Sequence, residues 1–495
     1  MRYIGVDLGT SAVKLLLMTG EGEILKIVSR EYPVSFPKNG WSEQDPEDWY
    51  KQTVDGIKEL VASTDDGKIA GISVAGQMHG LVTLDSDDKV IRKAILWNDG
   101  RSQEESDYLN NEIGKHKLTE LTGNISYAGF TAPKILWMQK NEPENFKRIS
   151  KIMLPKDYLT YMFTGVCASD PSDASGTLFY DVKNRCWSKE MCDILGITEA
   201  QLPKVFESYE KVGEVKPELC KELGITSTCI VAAGAGDNAG AAVGMGIVGE
   251  GKCNISLGTS GTVFISSNNF SEDFENHLHS FAHSDGAYHV MGCILSAASC
   301  NKWWLEEICE TNDYGREGGL IKEDNLGKNR IYFLPYLMGE RSPINDTDAR
   351  SAFVGMSMDT TRGEMTQAVY EGVSFALRDC LEAAKEMGID VKESCVCGGG
   401  SKSKIWLKIL SDILGIRLSQ TDNTEGPSFG AAILASVANG EYASVSEACS
   451  KLIKVTQSVD PDAEQVKLYE ERYQEYKKIY PALKETYAFI AGRRD

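Results

Sequence analysis

The sequence predicts an α/β protein of two related halves. Its length, an alternation of strand-turn-strand segments with helical ones, and a motif recurring about halfway along the chain carry that reading. At 495 residues the chain is longer than one hydrophobic core usually supports, so two domains of roughly 200–250 residues are expected.

The opening alternates strands and turns. Tyr3–Val6, Val13–Met18 and Ile24–Val28 read as strands, separated by Gly9-Thr10-Ser11 and by a Gly-Glu-Gly turn. Asp45-Pro46 is an N-cap followed by proline in the first helical turn, with Trp49, Val54, Ile57 and Leu60 as the apolar stripe behind it. Lys68–Val74 and Leu81–Asp85 read as strands, another ends at Ile95-Leu96-Trp97, and helical patterns dominate residues 101–163.

The recurring motif is I-G-V-D-L-G-T-S at 4–11 and C-N-I-S-L-G-T-S at 253–260. Each copy follows a strand and precedes another, which predicts one structural unit used twice. The expected division is 1–246 and 247–495, with a hinge at 246–252 where a small-residue helix ends in G-I-V-G-E-G-K. The tail repeats tyrosine every three to four residues from Tyr469 to Tyr487, a helical stripe of core packing that Pro481 should interrupt.

Composition narrows the function. Lys+Arg number 52 against 72 Asp+Glu, a formal net charge of −20, which argues against nucleic acid and anionic lipid as partners. A phosphate ligand stays open, because backbone amides and a bound cation hold one locally. The thirteen cysteines are scattered and form no C-x-x-C pair, which fits reduced thiols rather than a disulfide framework. No apolar run reaches signal or membrane length, so the expectation is a cytoplasmic protein without membrane contact, monomer or homodimer.

Several motifs offer chemistry. Glycine, threonine and serine between two strands make a turn whose amides and hydroxyls can close on phosphate oxygens; a plain hairpin turn would read the same. Two copies, one per half, suit a clamp on a nucleotide's phosphates. Asp7 precedes the first copy where Ser256 precedes the second, and a single carboxylate at a phosphate turn suits magnesium. Gly398-Gly399-Gly400 ends a strand and opens a helix near Ser401, so backbone can approach a flat ligand such as a nucleoside. Gly398-Gly399-Gly400 and the two G-T-S turns lack the G-x-G-x-x-G spacing of a dinucleotide fold.

Asp237, in G-A-G-D-N, stands where a small-residue helix begins, either as its cap or as a general base kept ionised by the helix N-terminus. His79, in G-Q-M-H-G, could donate to a sugar hydroxyl or be a satisfied histidine near a turn. Trp97-Asn98-Asp99 offers a flat face beside polar groups. His277, His279, His283 and His289 read as a polar hairpin face rather than a zinc site, because no cysteine or acid completes a metal spacing.

Taken together these residues resemble the FGGY carbohydrate kinases, and within that family the branch acting on xylulose. The resemblance covers nearly the whole chain. G-F-T-A-P-K-I-L-W-M-Q-K-N at 129–141 is similar to the family's first signature, and S-A-F-V-G-M through A-V-Y-E at 351–371 to its second. W-S-E-Q-D-P, G-Q-M-H-G, L-W-N-D-G-R, L-P-K-D-Y-L, S-D-P-S-D-A-S-G-T and L-P-Y-L-M-G-E-R stand around them in order.

The resemblance implies two ribonuclease-H-like domains of the actin and hexokinase superfamily, with ATP in the cleft between them. It implies Gly9, Thr10, Ser11, Lys14, Gly258, Thr259 and Ser260 at the phosphates, and Gly398, Gly399, Gly400 and Ser401 at adenosine. Asp7 would hold Mg2+, and Asp237 would be the base. Met78, His79, Trp97, Asp99, Asp237 and Asn238 would meet the sugar, D-xylulose. G-A-G-D stands where G-G-G-D is common in the family. G-Q-M-H-G replaces the glycerol kinases' N-Q-R-E-T, disfavouring glycerol and leaving ribulose and gluconate as alternatives. A non-catalytic sugar sensor on the same fold would lack Asp7 or Asp237, and both are present.

Overall fold

The structure, a computed structural model, describes residues 1–492 apart from Asn276 and Thr424. Two seven-stranded sheets frame it. The first runs Lys211–Glu214, Ile230–Ala232, Gly71–Gly76, Arg2–Leu8, Ala12–Thr19, Ile24–Glu31, with Ala235–Gly236 also on Gly71–Gly76. The second runs His279–Ala282, Tyr288–Ile294, Gly261–Ser267, Lys252–Leu257, Glu393–Cys397, Arg417–Thr421, Val455–Val459.

The two copies of the L-G-T-S motif occupy equivalent places. Arg2–Leu8 is antiparallel to the strand after its turn and parallel to Gly71–Gly76, and Lys252–Leu257 is likewise paired to Gly261–Ser267 and Glu393–Cys397. Asp7 faces Lys14 and Ala75, and Ser256 in the equivalent place faces Thr262 and Cys397, the second turn being one residue shorter than the first. Each sheet then adds one more parallel strand and an antiparallel edge. This is the two-sheet α/β architecture expected, with the repeat as its organising unit.

Local chemistry accounts for the elements. Gly71–Gly76, parallel to both flanking strands, is buried throughout, so it reads as a continuous small and apolar run rather than an alternating one. The strand expected at Lys68–Val74 therefore sits about one turn later in the chain. Asp45 caps helix Pro46–Ala62 by accepting from the Glu47 amide at 3.1 Å.

Packing does not follow a cut at 246/247. Helix Gly426–Ala438, late in the chain, lies on the first sheet, where Phe429, Ile433 and Leu434 share a core with Tyr3, Leu16, Met18 and Val243. The approach is backbone to backbone: a Cβ on Gly5 would fall 1.8 Å from the Ser428 carbonyl oxygen. Pro481 does not interrupt the tail either, since Ala463–Ala491 is one helix. It stands on the exposed face, where the Lys477 carbonyl it displaces can turn to water. Tyr469, Tyr473, Tyr476 and Tyr487 are buried in the second core, as their spacing predicts.

The thirteen cysteines are free thiols. Among the described residues, no helix is long and apolar enough to cross a membrane.

Candidate active site

The two glycine turns stand at the ends of the paired central strands of the two sheets. Ser11 and Thr259 at their tips are exposed, while the stems are pinned from behind. Gln44 Nε2 donates to the Thr10 carbonyl at 2.6 Å, Tyr32 Oη to the Gly9 carbonyl at 2.5 Å, and Gln77 Nε2 to Gln44 Oε1 at 3.0 Å. In the second half the Gly258 and Thr259 carbonyls accept from Ala298 N at 2.8 Å and Ala297 N at 3.0 Å. Each turn thus spends backbone carbonyls on the scaffold. Thr10 Oγ1 also accepts from the Trp97 indole at 3.0 Å, joining the first turn to the W-N-D segment.

Beside the second turn lies a cavity of about 1130 Å³ lined by Gly258, Thr259, Asn301, Gly399, Gly400 and Ser403 among others. The glycine cluster reaches it because Gly398 takes φ 88°, and a Cβ there would sit 2.6 Å from the Leu257 carbonyl carbon. Ser401 is buried and caps the turn, its hydroxyl donating to the Gly398 carbonyl at 2.8 Å. Strand and helix are separated here by a short 3-10 turn, Gly399–Lys402, and the helix begins at Lys404.

Asp7 and Asp237 stand near enough for their charges to interact. Burial raises the Asp7 carboxyl to about 7, and the charge of Asp237 adds to that rise, while Lys14, directly opposite Asp7, offsets part of it. Lys14 Nζ also pairs with Glu425 at 3.1 Å. Asp237 is not a cap: Gly236 holds that position, and Asp237 is the first residue of Asp237–Gly244. Burial raises it to about 6, against the lowering effect of the Asn238 amide at 2.7 Å and Asn238 Nδ2 at 3.0 Å. Desolvation therefore outweighs the helix N-terminus expected to hold it fully ionised.

Met78 and His79 sit against the turn that carries Asp237. A Cβ on Gly236 would come within 3.0 Å of Met78 Sδ. His79 holds φ 68°, a conformation secured by Thr131 Oγ1 at 3.1 Å and Lys134 Nζ at 2.8 Å on its carbonyl. Its ring stacks on Phe130 at 4.5 Å. His79 Nδ1 lies 2.7 Å from the Gly176 carbonyl, which can only accept, so Nδ1 carries the hydrogen. Burial lowers the imidazole to about 3, leaving it neutral with a lone pair on Nε2. His79 can therefore accept from a hydroxyl; the donor role expected of it is excluded.

Asp99 is also corrected. Its carboxylate accepts from Ser42 N at 2.5 Å, Arg101 N and Nε at 2.9 Å, and Arg101 Nη2 at 2.7 Å, all buried. Those bonds commit it to holding the turn that presents Trp97. The four histidines do not form a polar hairpin face: His279, His283 and His289 are buried among Phe264, Phe281 and Tyr127.

Sequence reasoning missed what lies beneath Asp237. Lys156 Nζ sits between Asp157 at 2.6 Å, Asp170 at 3.0 Å and Asp173 at 3.9 Å, with all four side chains buried. Burial alone would lower the lysine, but the three carboxylates hold it raised. Ser172 Oγ donates to Asp170 at 2.5 Å and accepts the Gly236 amide at 3.0 Å, so this buried network fixes the turn carrying Asp237. These residues lie in L-P-K-D-Y-L and S-D-P-S-D-A-S-G-T, legible as family markers, but no spacing rule assigns them a role.

Comparison with known proteins gives the frame a name. The N-terminal domain of the FGGY family of carbohydrate kinases matches residues 2–244, and its C-terminal domain matches residues 253–439. This chain belongs to the FGGY family of carbohydrate kinases. As an FGGY kinase it is an enzyme that phosphorylates a sugar. The xylulose kinase of Escherichia coli K12 is 39% identical over 97% of this chain and 99% of its own length. Two structures from Lactobacillus acidophilus, a ligand-bound xylulose kinase and a gluconate kinase, are each 27% identical. Each covers 99% of both chains, with TM-scores of 0.92 and 0.93 respectively. Fold alone therefore does not choose the sugar.

Proposed function

We propose that this kinase transfers the γ-phosphoryl group of ATP to the 5-hydroxyl of D-xylulose, giving D-xylulose 5-phosphate and ADP. The observation carrying the chemistry is the carboxylate pair, Asp7 beside a phosphate turn and Asp237 on the sugar side. The identity of 39% with a full-length relative named a xylulose kinase supports the sugar.

Asp237 accepts the proton from O5 as O5 attacks the γ-phosphorus and the bond to the β-phosphate oxygen breaks. Phosphoryl transfer asks for positioning more than for a strong base. The buried Lys156 network and Ser172 give Asp237 that fixed position. Asn238 orients the carboxylate through two bonds to one oxygen, leaving the other for the substrate.

The residues present fit a magnesium ion. Asp7 is a hard oxygen donor whose negative charge, beside that of Asp237, is incompletely offset by Lys14. Bound there, the metal would neutralise charge on the phosphates. Gly9 to Ser11 with Lys14 would hold the phosphates from one side and Gly258 to Ser260 from the other, with Gly399 and Gly400 toward adenosine. Use of ATP supports the cytoplasmic location.

The test is ADP release by purified protein against D-xylulose, D-ribulose, gluconate, xylose and glycerol. D-xylulose should give the highest kcat/KM. A higher value for gluconate or ribulose would leave a kinase with a different sugar, and no turnover on any of them would point to a sensor.

A further inference from the structure

A 2-ketopentose offers a free 5-hydroxyl only in its open-chain form, because ring closure onto the C2 carbonyl uses that same oxygen. A kinase that phosphorylates O5 must therefore hold the acyclic ketone, and the carbonyl oxygen at the far end needs a hydrogen-bond donor. On the N-terminal side His79 presents only a lone pair, the Trp97 indole is spent on Thr10, and Asn238 Nδ2 keeps one hydrogen beyond its bond to Asp237, so none of the three is a charged donor.

The second half supplies what is missing. Arg341, from L-P-Y-L-M-G-E-R, is exposed, and among the described residues its guanidinium has no ion-pair or hydrogen-bond partner. It lies over the Tyr127 ring at 5.6 Å, and Tyr127 packs on Phe130, which stacks on His79. Its base is rigid: buried Glu340 accepts the Arg341 and Leu295 amides at 2.8 Å each. Through Tyr127 and Phe130 Arg341 is joined to His79, and its charge adds to the lowering of the His79 and His279 imidazoles, which puts it on the His79 side of the site.

We propose that Arg341 is a specificity-determining residue that reaches across the cleft to hold the carbonyl end of an open-chain ketose. This inference rests on the ketopentose reading above. A guanidinium donates strongly to an oxygen acceptor, and a site built around that bond disfavours an analogue lacking the carbonyl. Because the donor comes from one half and the acceptor His79 from the other, a ketose is fully bound only when the halves are together.

The experiment compares wild type, Arg341→Gln and Arg341→Lys, with fold checked by circular dichroism. Three constants are measured: KM for D-xylulose, Ki for xylitol (the same chain reduced at C2) as a competitive inhibitor, and KM for ATP. Arg341→Gln should raise the ketose KM about tenfold while the xylitol Ki and the ATP KM change by less than about threefold. Arg341→Lys, which keeps a charged donor, should recover part of the loss. An unchanged ratio of ketose KM to xylitol Ki in folded Arg341→Gln would overturn the proposal. A fall in kcat with that ratio intact would overturn it too, placing the guanidinium at the phosphoryl group. A wild type inactive on D-xylulose would defeat the functional reading itself, before any variant is compared.

Discussion

Asp237 and Asp7 are both carboxylates in one site, yet their expected losses differ. Asp237→Asn keeps the shape and the Asn238 contact but cannot take a proton, so turnover should fall about 10²–10⁴-fold while sugar binding persists. Near-normal turnover in the folded variant would remove Asp237 from the base role. Its carboxyl is raised to about 6, so the working ionised form is lost as pH falls through that value. With saturating Mg-ATP, so that the metal holds Asp7 ionised, wild-type kcat/KM for the sugar should drop about tenfold per pH unit below that value; a profile flat down to pH 5 would contradict the assignment. Asp7→Asn should instead shift the magnesium dependence of turnover and leave sugar affinity alone. If titration with magnesium gives the wild-type curve, Asp7 is structural.

At the scale of elements, strand Arg2–Leu8 and helix Gly426–Ala438 pack backbone to backbone at Gly5. Gly5→Ala puts a methyl group against the Ser428 carbonyl with no flexible side chain to give way, and overpacking of this kind costs about 3 kcal/mol or more. Thermal unfolding should show a clearly lowered midpoint, and an unchanged one would mean that helix and strand separate at little cost. This contact also marks where the sequence stopped being readable. The recurring L-G-T-S motif, the Asp45 cap and the tyrosine stripe follow from local spacing, and all three are present in the structure. The docking of a late helix on the first strand joins residues more than four hundred positions apart, which no local pattern encodes. The site divides the same way. Asp7, Asp237 and the glycine turns stand in motifs, whereas Lys156 with its aspartates and the tautomer of His79 depend on which carbonyl or carboxylate the fold brings alongside. Asp99 misled because a carboxylate bound to Arg101 and one facing a ligand look identical in sequence.

For the whole molecule, the two turns lie on separate sheets, and segment 245–251 is the chain connection from the helix Asp237–Gly244 to the first central strand of the second sheet. His283 Nε2 donates to the Ile247 carbonyl at 2.7 Å, tying this segment to the second sheet. The halves are expected to close on sugar and nucleotide together, excluding water and so limiting ATP hydrolysis. Small-angle scattering should record a smaller radius of gyration with D-xylulose and a non-hydrolysable ATP analogue than without. Identical curves would refute closure about residues 246–252.

The placement of Gly426–Ala438 on the first sheet bears on how the protein can be made. During synthesis the opening strand emerges first, but the helix that covers it leaves the ribosome only after most of the chain. Until then one face of that strand has no native cover, and such exposed apolar surface invites aggregation and chaperone binding. A fragment ending at residue 246 should for that reason be insoluble, although it contains the whole sequence of the first sheet. Supplying residues 247–495 as a second polypeptide in the same cell should rescue it, since the missing wall arrives with them.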